Sequence, residues 1–167
     1  MITYINYHKH DELSNLYTTD SPVHLRDYCK RAKELGHTVF STVEHGWVGD
    51  VFEANKLAAE YGLKFIVGAE FYFVKDRKTD DRTNAHIIVM AMNENGREAI
   101  NDIQSEANLS GFYYKPRVDL ELLLSLPEED VVVTTACIGG IWKYDDCEDD
   151  LAAMFLKVCQ SQHNFTV

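Results

Sequence analysis

The sequence is poor in basic residues and has neither closely paired cysteines nor a long apolar run. Lysine and arginine together number 16 against 27 aspartates and glutamates, which gives a formal net charge of −11. This balance argues against a nucleic-acid contact made by the whole surface and restricts any such contact to a local patch. The four cysteines form no C-x-x-C pair, and no signal peptide or membrane-length apolar segment is visible. We therefore expect a reduced, cytoplasmic protein without membrane contact.

Length and periodicity favour one α/β domain. The chain has 167 residues, of which 46% are hydrophobic, enough for a single core. Apolar β-branched runs alternate with helical periodicity, and an alternation of this kind implies parallel strands joined by right-handed crossovers. Strands are predicted at residues 2–7, 38–43, 64–68, 87–92, 131–135 and 164–167, and residues 71–74 either extend the third strand or turn away from it. Helices are predicted from 20–22 to 36 and at 50–62, 94–109, 119–126 and 149–162.

Metal-competent side chains follow several of these strands. His8 and His10 close the first predicted strand, and alternate side chains of a strand point to one face, so both imidazoles point the same way while Lys9 points opposite. In parallel α/β folds, ligands gather at the carboxyl ends of the strands. His86 begins its strand and reaches the same edge only if the chain reverses after the third strand. The strand-end set comprises His8, His10, Glu44, His45, Glu70 and Cys137.

These side chains together suit divalent metals, although each has an ordinary alternative. Glu44 can cap a turn, Glu70 can be a solvated strand end, and Cys137 can be a small buried side chain. As a set, imidazoles, carboxylates and a thiolate suit zinc, with manganese or iron tolerated at oxygen-rich positions. A carboxylate such as Glu70 can bridge two ions, and paired ions activate water and stabilise the leaving oxygen of a phosphoester.

The order of these side chains along the sequence, with the residues around them, resembles that of the polymerase and histidinol phosphatase (PHP) domain family. Two further segments, 91–96 and 111–119, are similar to the version of that domain at the amino terminus of bacterial or phage DNA polymerase III alpha subunits. The resemblance implies a distorted seven-stranded (β/α)7 barrel, up to three divalent metals, and a 3′–5′ exonuclease or phosphoesterase activity. It rests on His8-Lys9-His10, Val43-Glu44-His45-Gly46, residues 68–72, His86 and residues 134–140.

The resemblance also assigns metal ligands. Asp20 resembles an early aspartate of the family, at a longer spacing from His10 than usual. Glu44 stands where the family commonly has aspartate, and its extra methylene either still reaches a metal or loses that contact. The positions that match the family motifs directly are His8, His10, His45, Glu70, His86 and Cys137.

The family places further ligands, including a late Asp-x-His pair, beyond Val167. We therefore expect residues 1–167 to be the N-terminal part of a PHP domain, without the last barrel strands and the polymerase domains. On its own, such a chain is expected to bind metal incompletely and to hydrolyse little. An uncovered sheet edge further predicts self-association.

Three functions remain open from the sequence. The chain can be a metal-dependent proofreading exonuclease of a replicative polymerase, a non-catalytic PHP module that stabilises that polymerase, or a free-standing histidinol-phosphatase-like phosphoesterase. Residues 111–119 speak against the last. The expected partners are the rest of the alpha subunit and, through the full protein, primer-template DNA. A local aromatic and basic cluster predicts either a weak, salt-sensitive DNA contact or packing against the polymerase: Tyr113, Tyr114, Lys115 and Arg117.

Overall fold

A computed structural model describes residues 5–144 and residue 149 of the chain. Within this part no helix has the length and apolar character needed to cross a bilayer. Two short 3-10 helices, Glu12–Leu16 and Ile141–Lys143, precede α1 and follow the last described strand. The helices are α1 Leu25–Glu34, α2 Val51–Glu60, α3 Glu94–Leu109 and α4 Leu120–Leu124; the strands are β1 Val39–His45, β2 Lys64–Phe73, β3 Ala85–Ala91, β4 Phe112–Tyr113, β5 Lys115–Val118 and β6 Val131–Thr134.

The strands form one mixed sheet around β2. β1 runs parallel to β2 over its first part, and β5 runs parallel to it at Tyr72 and Phe73. β3 lies antiparallel along β2, β6 lies antiparallel along β3, and β4 forms a short hairpin with β5. The predicted α/β class is confirmed. The described strands do not close on themselves, so the seven-stranded barrel stays a prediction.

The expectation that all strands are parallel is wrong for β3, which lies antiparallel to both of its neighbours, β2 and β6. A parallel neighbour of β2 requires a crossover of a dozen or more residues, usually a helix. The connection 74–84 is short, rich in charge and without a helix, so the chain returns beside β2 in the opposite direction. This reversal places the beginning of β3 next to the end of β2, which is the arrangement that His86 requires.

Two apolar clusters hold the sheet and helices together. The larger one packs α3 and α4 on the sheet, with Phe71, Phe73 and Ile100 fully buried. The smaller one lies between α1, α2 and β1 and includes Cys29, which is fully buried. Burial raises the pKa of the Cys29 thiol to about 11, so this cysteine is a core side chain that stays protonated at neutral pH.

The segment 91–96 that resembled the polymerase family has a packing role. Asn93 caps α3, and its side chain accepts a hydrogen bond from the backbone N–H of Gly96 at 3.0 Å. A Cβ atom on Gly96 would lie 1.9 Å from the carbonyl oxygen of Asp130. The start of α3 therefore needs glycine in order to approach the chain that enters β6.

Other elements differ from the sequence-based expectations. α1 begins at Leu25 rather than at residues 20–22, and residues 111–117 contain the β4–β5 hairpin instead of a loop. Residues 5–10 form no regular strand. The predicted elements 149–162 and 164–167 lie outside the described residues apart from position 149, as does the beginning of the predicted strand 2–7.

Candidate metal centre

The register of three strands brings several predicted site residues to one edge of the sheet. His45 ends β1 and is the parallel partner of Glu70 in β2. His86, near the start of β3, is the antiparallel partner of Tyr72. Because Glu70 and Tyr72 are two residues apart on β2, their side chains lie on the same face of the strand. Both histidines therefore flank the end of β2.

His8 and His10 reach the same place from the segment before α1. This segment is attached to β1, because Ser41 Oγ donates to the carbonyl oxygen of Tyr7 at 2.7 Å. The two Nε2 atoms are 3.1 Å apart. Glu70 Oε2 lies 3.1 Å from His8 Nε2 and 2.9 Å from His10 Nε2. Since nitrogens bound to a tetrahedral zinc ion are separated by about 3.3 Å, this triangle matches one face of such a site.

Two further groups of three share members with this triangle. Asp20 Oδ2 is 3.4 Å from His45 Nε2 and 4.0 Å from His10 Nδ1. Glu70 Oε2 is 3.4 Å from His45 Nδ1, and Glu70 Oε1 is 2.8 Å from His86 Nδ1. In each group the ligand atoms lie within 4.8 Å of one another. Every two groups share one residue, so six side chains form one continuous histidine cluster: His8, His10, Asp20, His45, Glu70 and His86.

Burial and the contacts within the cluster determine the protonation states of its side chains. Burial alone would raise the pKa of Glu70, but hydrogen bonds with His10, His8 and His86 hold it well below its usual range. Burial lowers the pKa of His45 to about 4. Burial also opposes protonation of His10, but its hydrogen bond with Glu70 and the charge of that carboxylate outweigh this effect and raise the pKa. At neutral pH the cluster therefore contains an ionised carboxylate and a neutral His45, which are the forms that bind metal.

One polar atom of the cluster is left without a partner. His45 Nδ1 is buried and lies 3.4 Å from Glu70 Oε2, but it forms no hydrogen bond within the described residues, and the same holds for the Tyr72 hydroxyl beside it. A buried polar atom that lacks a partner costs about 1–3 kcal/mol. A cation among His45, Glu70 and His86 would satisfy the nitrogen. The imidazole and carboxylate donors and this unpaired nitrogen therefore fit a divalent metal.

Cys137 borders the cluster on the side of His86. Its Sγ lies 3.6 Å from His86 Nδ1 and 3.7 Å from Glu70 Oε1. The loop is fixed in this position because the backbone N–H of Gly139 donates to Sγ at 3.2 Å, while the backbone N–H of His86 donates to the carbonyl of Gly139 at 2.8 Å. The structure thus brings the thiol to the cluster, although Cys137 belongs to none of the three groups.

The structure places Glu44 apart from the other predicted ligands. Successive side chains of a strand point to opposite faces, so Glu44 and His45 cannot both face the cluster. The Glu44 carboxylate is fully buried and accepts hydrogen bonds from Ser14 Oγ at 2.5 Å and from the backbone N–H of Asp11 at 3.1 Å. Lys9 Nζ donates to it at 3.5 Å. These contacts hold the Glu44 carboxylate on the face of β1 opposite to the cluster.

Ser14 connects this carboxylate with His10. Its hydroxyl has one proton, which it donates to Glu44, so the contact of 2.9 Å with His10 Nδ1 requires the imidazole to be the donor. In neutral His10, Nε2 then carries the lone pair that faces Glu70 Oε2. The relay from His10 through Ser14 to Glu44 therefore fixes the tautomer that a metal needs at Nε2.

The sequence did not identify Ser14, Asp11 or the role of Lys9 in this relay. Lys9 does point away from the two histidines, as strand alternation predicted, and it is buried against Asp11 at 2.9 Å. Asp11 caps the 3-10 helix Glu12–Leu16 by accepting from the backbone N–H of Leu13. The sequence signal was an aspartate followed by a short polar helix that places a serine four residues after His10.

Arg117 is not available as a DNA contact. It is 3% exposed, and its guanidinium donates to the carbonyl oxygens of Gly111, Asp81 and Arg77 at 2.8, 2.6 and 2.7 Å. The prediction treated it as a loop cation, whereas the hairpin turns it inward. The other three predicted contacts, Tyr113, Tyr114 and Lys115, are partly or fully exposed on the hairpin.

Comparisons with known proteins agree with this geometry. Residues 6–158 match the PHP domain family. The chain is similar to the DNA polymerase III subunit alpha of Aquifex aeolicus, with 32% identity over 152 residues, and to that of Treponema pallidum, with 31% identity over 149 residues. These matches cover 84% and 86% of this chain but 13% and 12% of the relatives, so the chain spans about an eighth of their length. With most of its residues matched by the family, the chain belongs to the PHP domain family.

Proposed function

We propose that this chain is the metal-binding PHP portion of a replicative DNA polymerase, and that the PHP domain of the complete polymerase hydrolyses phosphodiesters as a 3′–5′ exonuclease. The observation that carries the proposal is the continuous cluster of three ligand groups around the fully buried Glu70 carboxylate. We assign it up to three divalent ions, with zinc first and manganese or iron as alternatives. The assigned ligands are His8, His10, Asp20, His45, Glu70, His86 and Cys137.

Glu70 is central to this assignment because its two oxygens face different histidines. Oε2 lies near His8, His10 and His45, and Oε1 lies near His86. Together with these histidines, Glu70 would hold divalent ions. Such ions would supply a nucleophile from water at neutral pH and neutralise charge on the leaving oxygen of a phosphoester.

The residues around the ligands provide orientation. Ser14 holds His10 with Nε2 towards Glu70, and the turn after His45 holds that histidine against Tyr72. This turn needs Gly46, which has a φ of +76° and would bring a Cβ within 3.0 Å of the Tyr72 ring. Asp20 is 38% exposed at its side chain and lies on the open side of the cluster, where a substrate phosphate would approach.

The test measures metal uptake first, because we expect the chain on its own to hydrolyse little. Elemental analysis after equilibration with zinc or manganese gives the metal content. Thermal unfolding with and without zinc gives the stabilisation, which reaches about 2.7 kcal/mol at a free zinc concentration 100-fold above Kd. Hydrolysis of a simple phosphodiester is measured in the same samples.

Glu70→Gln is expected to remove the metal content, the zinc-dependent stabilisation and any hydrolysis. Glu98→Gln is the matched control, because Glu98 is an exposed carboxylate of α3 far from the cluster in the fold. Equal metal content in wild type and Glu70→Gln would overturn the metal site. Metal uptake without hydrolysis, in the chain and in the complete polymerase, would instead favour a structural module.

A further inference from the structure

Two lysines border the histidine cluster at its His86 end. Lys115 Nζ lies 4.1 Å from the centre of the Tyr72 ring, and this ring is 5.5 Å from the ring of His86. Lys143 Nζ donates to the carbonyl oxygen of Asn84 at 3.3 Å, two residues before His86. Each ammonium group therefore contacts a neighbour of His86: Lys115 contacts Tyr72, which pairs with His86 across the sheet, and Lys143 contacts Asn84, which precedes His86 in the chain.

Neither lysine is neutralised by the part of the chain that the structure describes. Within residues 5–144, no carboxylate forms an ion pair with Lys115 or Lys143; their contacts are an aromatic ring and a carbonyl oxygen. Burial, together with the charge of Lys143, lowers the pKa of Lys115. Two like charges that have no ion-pair partner among residues 5–144, in a chain whose net charge is −11, favour an external anion at this position.

The neighbouring hairpin extends this basic edge. The Arg82 guanidinium stacks 3.6 Å from the centre of the Tyr114 ring, and the side chain of Tyr114 is 62% exposed. A planar cation on an exposed ring is a surface on which a nucleobase can stack. A phosphate at the lysines would therefore lie between the histidine cluster and a stacking surface.

We propose that Lys115 and Lys143 form a phosphate subsite for a nucleic-acid strand whose terminal phosphodiester lies at the histidine cluster. The inference rests on the proposed function for the position of the terminal phosphodiester. One aromatic ring, Tyr72, separates Lys115 from His86. The lysines therefore bind a neighbouring phosphate of the same strand rather than the one that is hydrolysed. A strand, which has consecutive phosphates, fits this arrangement better than a small phosphomonoester.

The test uses fluorescence anisotropy of a short labelled oligothymidylate with the 167-residue chain, in low salt and with EDTA present so that no metal is needed. The double variant Lys115→Ala with Lys143→Ala is expected to bind about tenfold more weakly. The slope of log Kobs against log salt should fall by about 0.7, because the two lysines contact one phosphate and each single-strand phosphate contact contributes about 0.7. The matched control is Lys30→Ala with Lys33→Ala, two exposed lysines of α1.

Further measurements distinguish binding of a strand from binding of free phosphate, and they separate the phosphate subsite from the metal centre. Thymidine monophosphate and inorganic phosphate are expected to compete far less well than the oligonucleotide; equal competition would overturn the preference for a strand. Unchanged affinity of the double variant, equal loss in the control pair, or no oligonucleotide binding by wild type would overturn the subsite. Metal content measured on the same samples tests the proposed function separately, since the lysine variant should take up zinc like wild type.

Discussion

Two buried polar clusters of this molecule differ in how completely they are satisfied. Around Arg77 and Arg117, each guanidinium finds protein acceptors: Arg77 donates to both oxygens of Asp119 at 2.7 and 2.8 Å, and Arg117 donates to three carbonyl oxygens. The histidine cluster instead leaves His45 Nδ1 and the Tyr72 hydroxyl without partners. Within the described residues, both guanidinium groups of the arginine cluster have hydrogen-bond acceptors, whereas one polar atom of the histidine cluster and one of the adjacent Tyr72 have no hydrogen-bond partner.

This difference separates a structural role from a binding role. A satisfied cluster gains nothing from a ligand, because each donor already has an acceptor, and its removal should affect stability alone. A cluster with an unpaired nitrogen and a shared carboxylate gains from a cation. The two regions should therefore respond in opposite ways to substitution and to metal.

The largest expected effect is the loss of the arginine cluster. Asp119→Ala removes the two carboxylate oxygens of Asp119 that accept from Arg77, and it leaves the guanidinium with Ser110 Oγ and the exposed Glu121 carboxylate as its close acceptors. Breaking a buried ion pair costs about 3–5 kcal/mol, and the remaining carboxylate favours the lower end. Urea unfolding in EDTA should show a loss of about 3 kcal/mol, with zinc uptake by the surviving folded protein unchanged.

Glu121→Ala is the matched control, because it removes a carboxylate from the same arginine at a side chain that is 72% exposed. Its effect should stay within about 1 kcal/mol. If Asp119→Ala lost zinc binding rather than stability, the separation between the two clusters would fail.

The sequence indicated which histidines and acids come together better than it indicated the inward position of Arg117. Histidines and acids at strand ends could be found from strand periodicity, and the family resemblance added Asp20, whose loop position no periodicity indicated. Arg117 was assigned to DNA because a sequence shows a charge but not the three carbonyl oxygens that surround it. Its inward direction depends on the β4–β5 hairpin, whose strands of two and four residues are too short to show a periodic pattern in the sequence.

Glu44 and the sheet order illustrate the same limit. The side chains of Glu44 and His45 were both assigned to metal, although neighbours on one strand face opposite sides. The antiparallel β3 was suggested by the position of His86 alone, since nothing in the local pattern of residues 87–92 distinguishes a parallel from an antiparallel buried strand. The pairing of the strands in the folded chain determines which face of β1 meets the cluster and in which direction β3 runs, and local propensity indicates neither.

A second, smaller effect concerns pH. Unfolded histidine titrates near its ordinary pKa of about 6.5, whereas the pKa of His45 is about 4 in the folded chain. Between these values the unfolded state binds more protons, so stability falls as pH falls. From pH 7 to pH 5 the contribution of His45 is a loss of about 2 kcal/mol. In EDTA, His45→Asn should therefore flatten the pH dependence of urea unfolding by about this amount.

His10→Asn is the opposing comparison for this measurement. The pKa of His10 is raised in the folded chain, so it contributes stability that is present at low pH and is lost as pH rises through the folded pKa. Removing it should make the loss on acidification steeper. Equal slopes in both variants would contradict the opposite environments of the two stacked rings, whose centres are 4.1 Å apart.

The smallest effect should come from Ser14, which touches the histidine cluster without belonging to any ligand group. Ser14→Ala removes the acceptor of His10 Nδ1 and the hydroxyl that donates to Glu44. His10 is then free to protonate Nε2, the nitrogen assigned to metal. Loss of such a supporting hydrogen bond typically costs 10- to 100-fold in metal affinity, and we expect about tenfold, because Glu70 still orients the ring. Competition with a zinc chelator measures the change.

A double-mutant cycle with Glu44→Gln separates the relay from simple packing. If Ser14 acts through Glu44, the two substitutions together should weaken zinc binding by much less than the product of their separate effects, because both break the same chain of hydrogen bonds. Ser105→Ala is the control, since this exposed serine of α3 donates to the carbonyl of Asn101 far from the cluster in the fold. Independent effects in the cycle would mean that Glu44 does not act on His10 through Ser14.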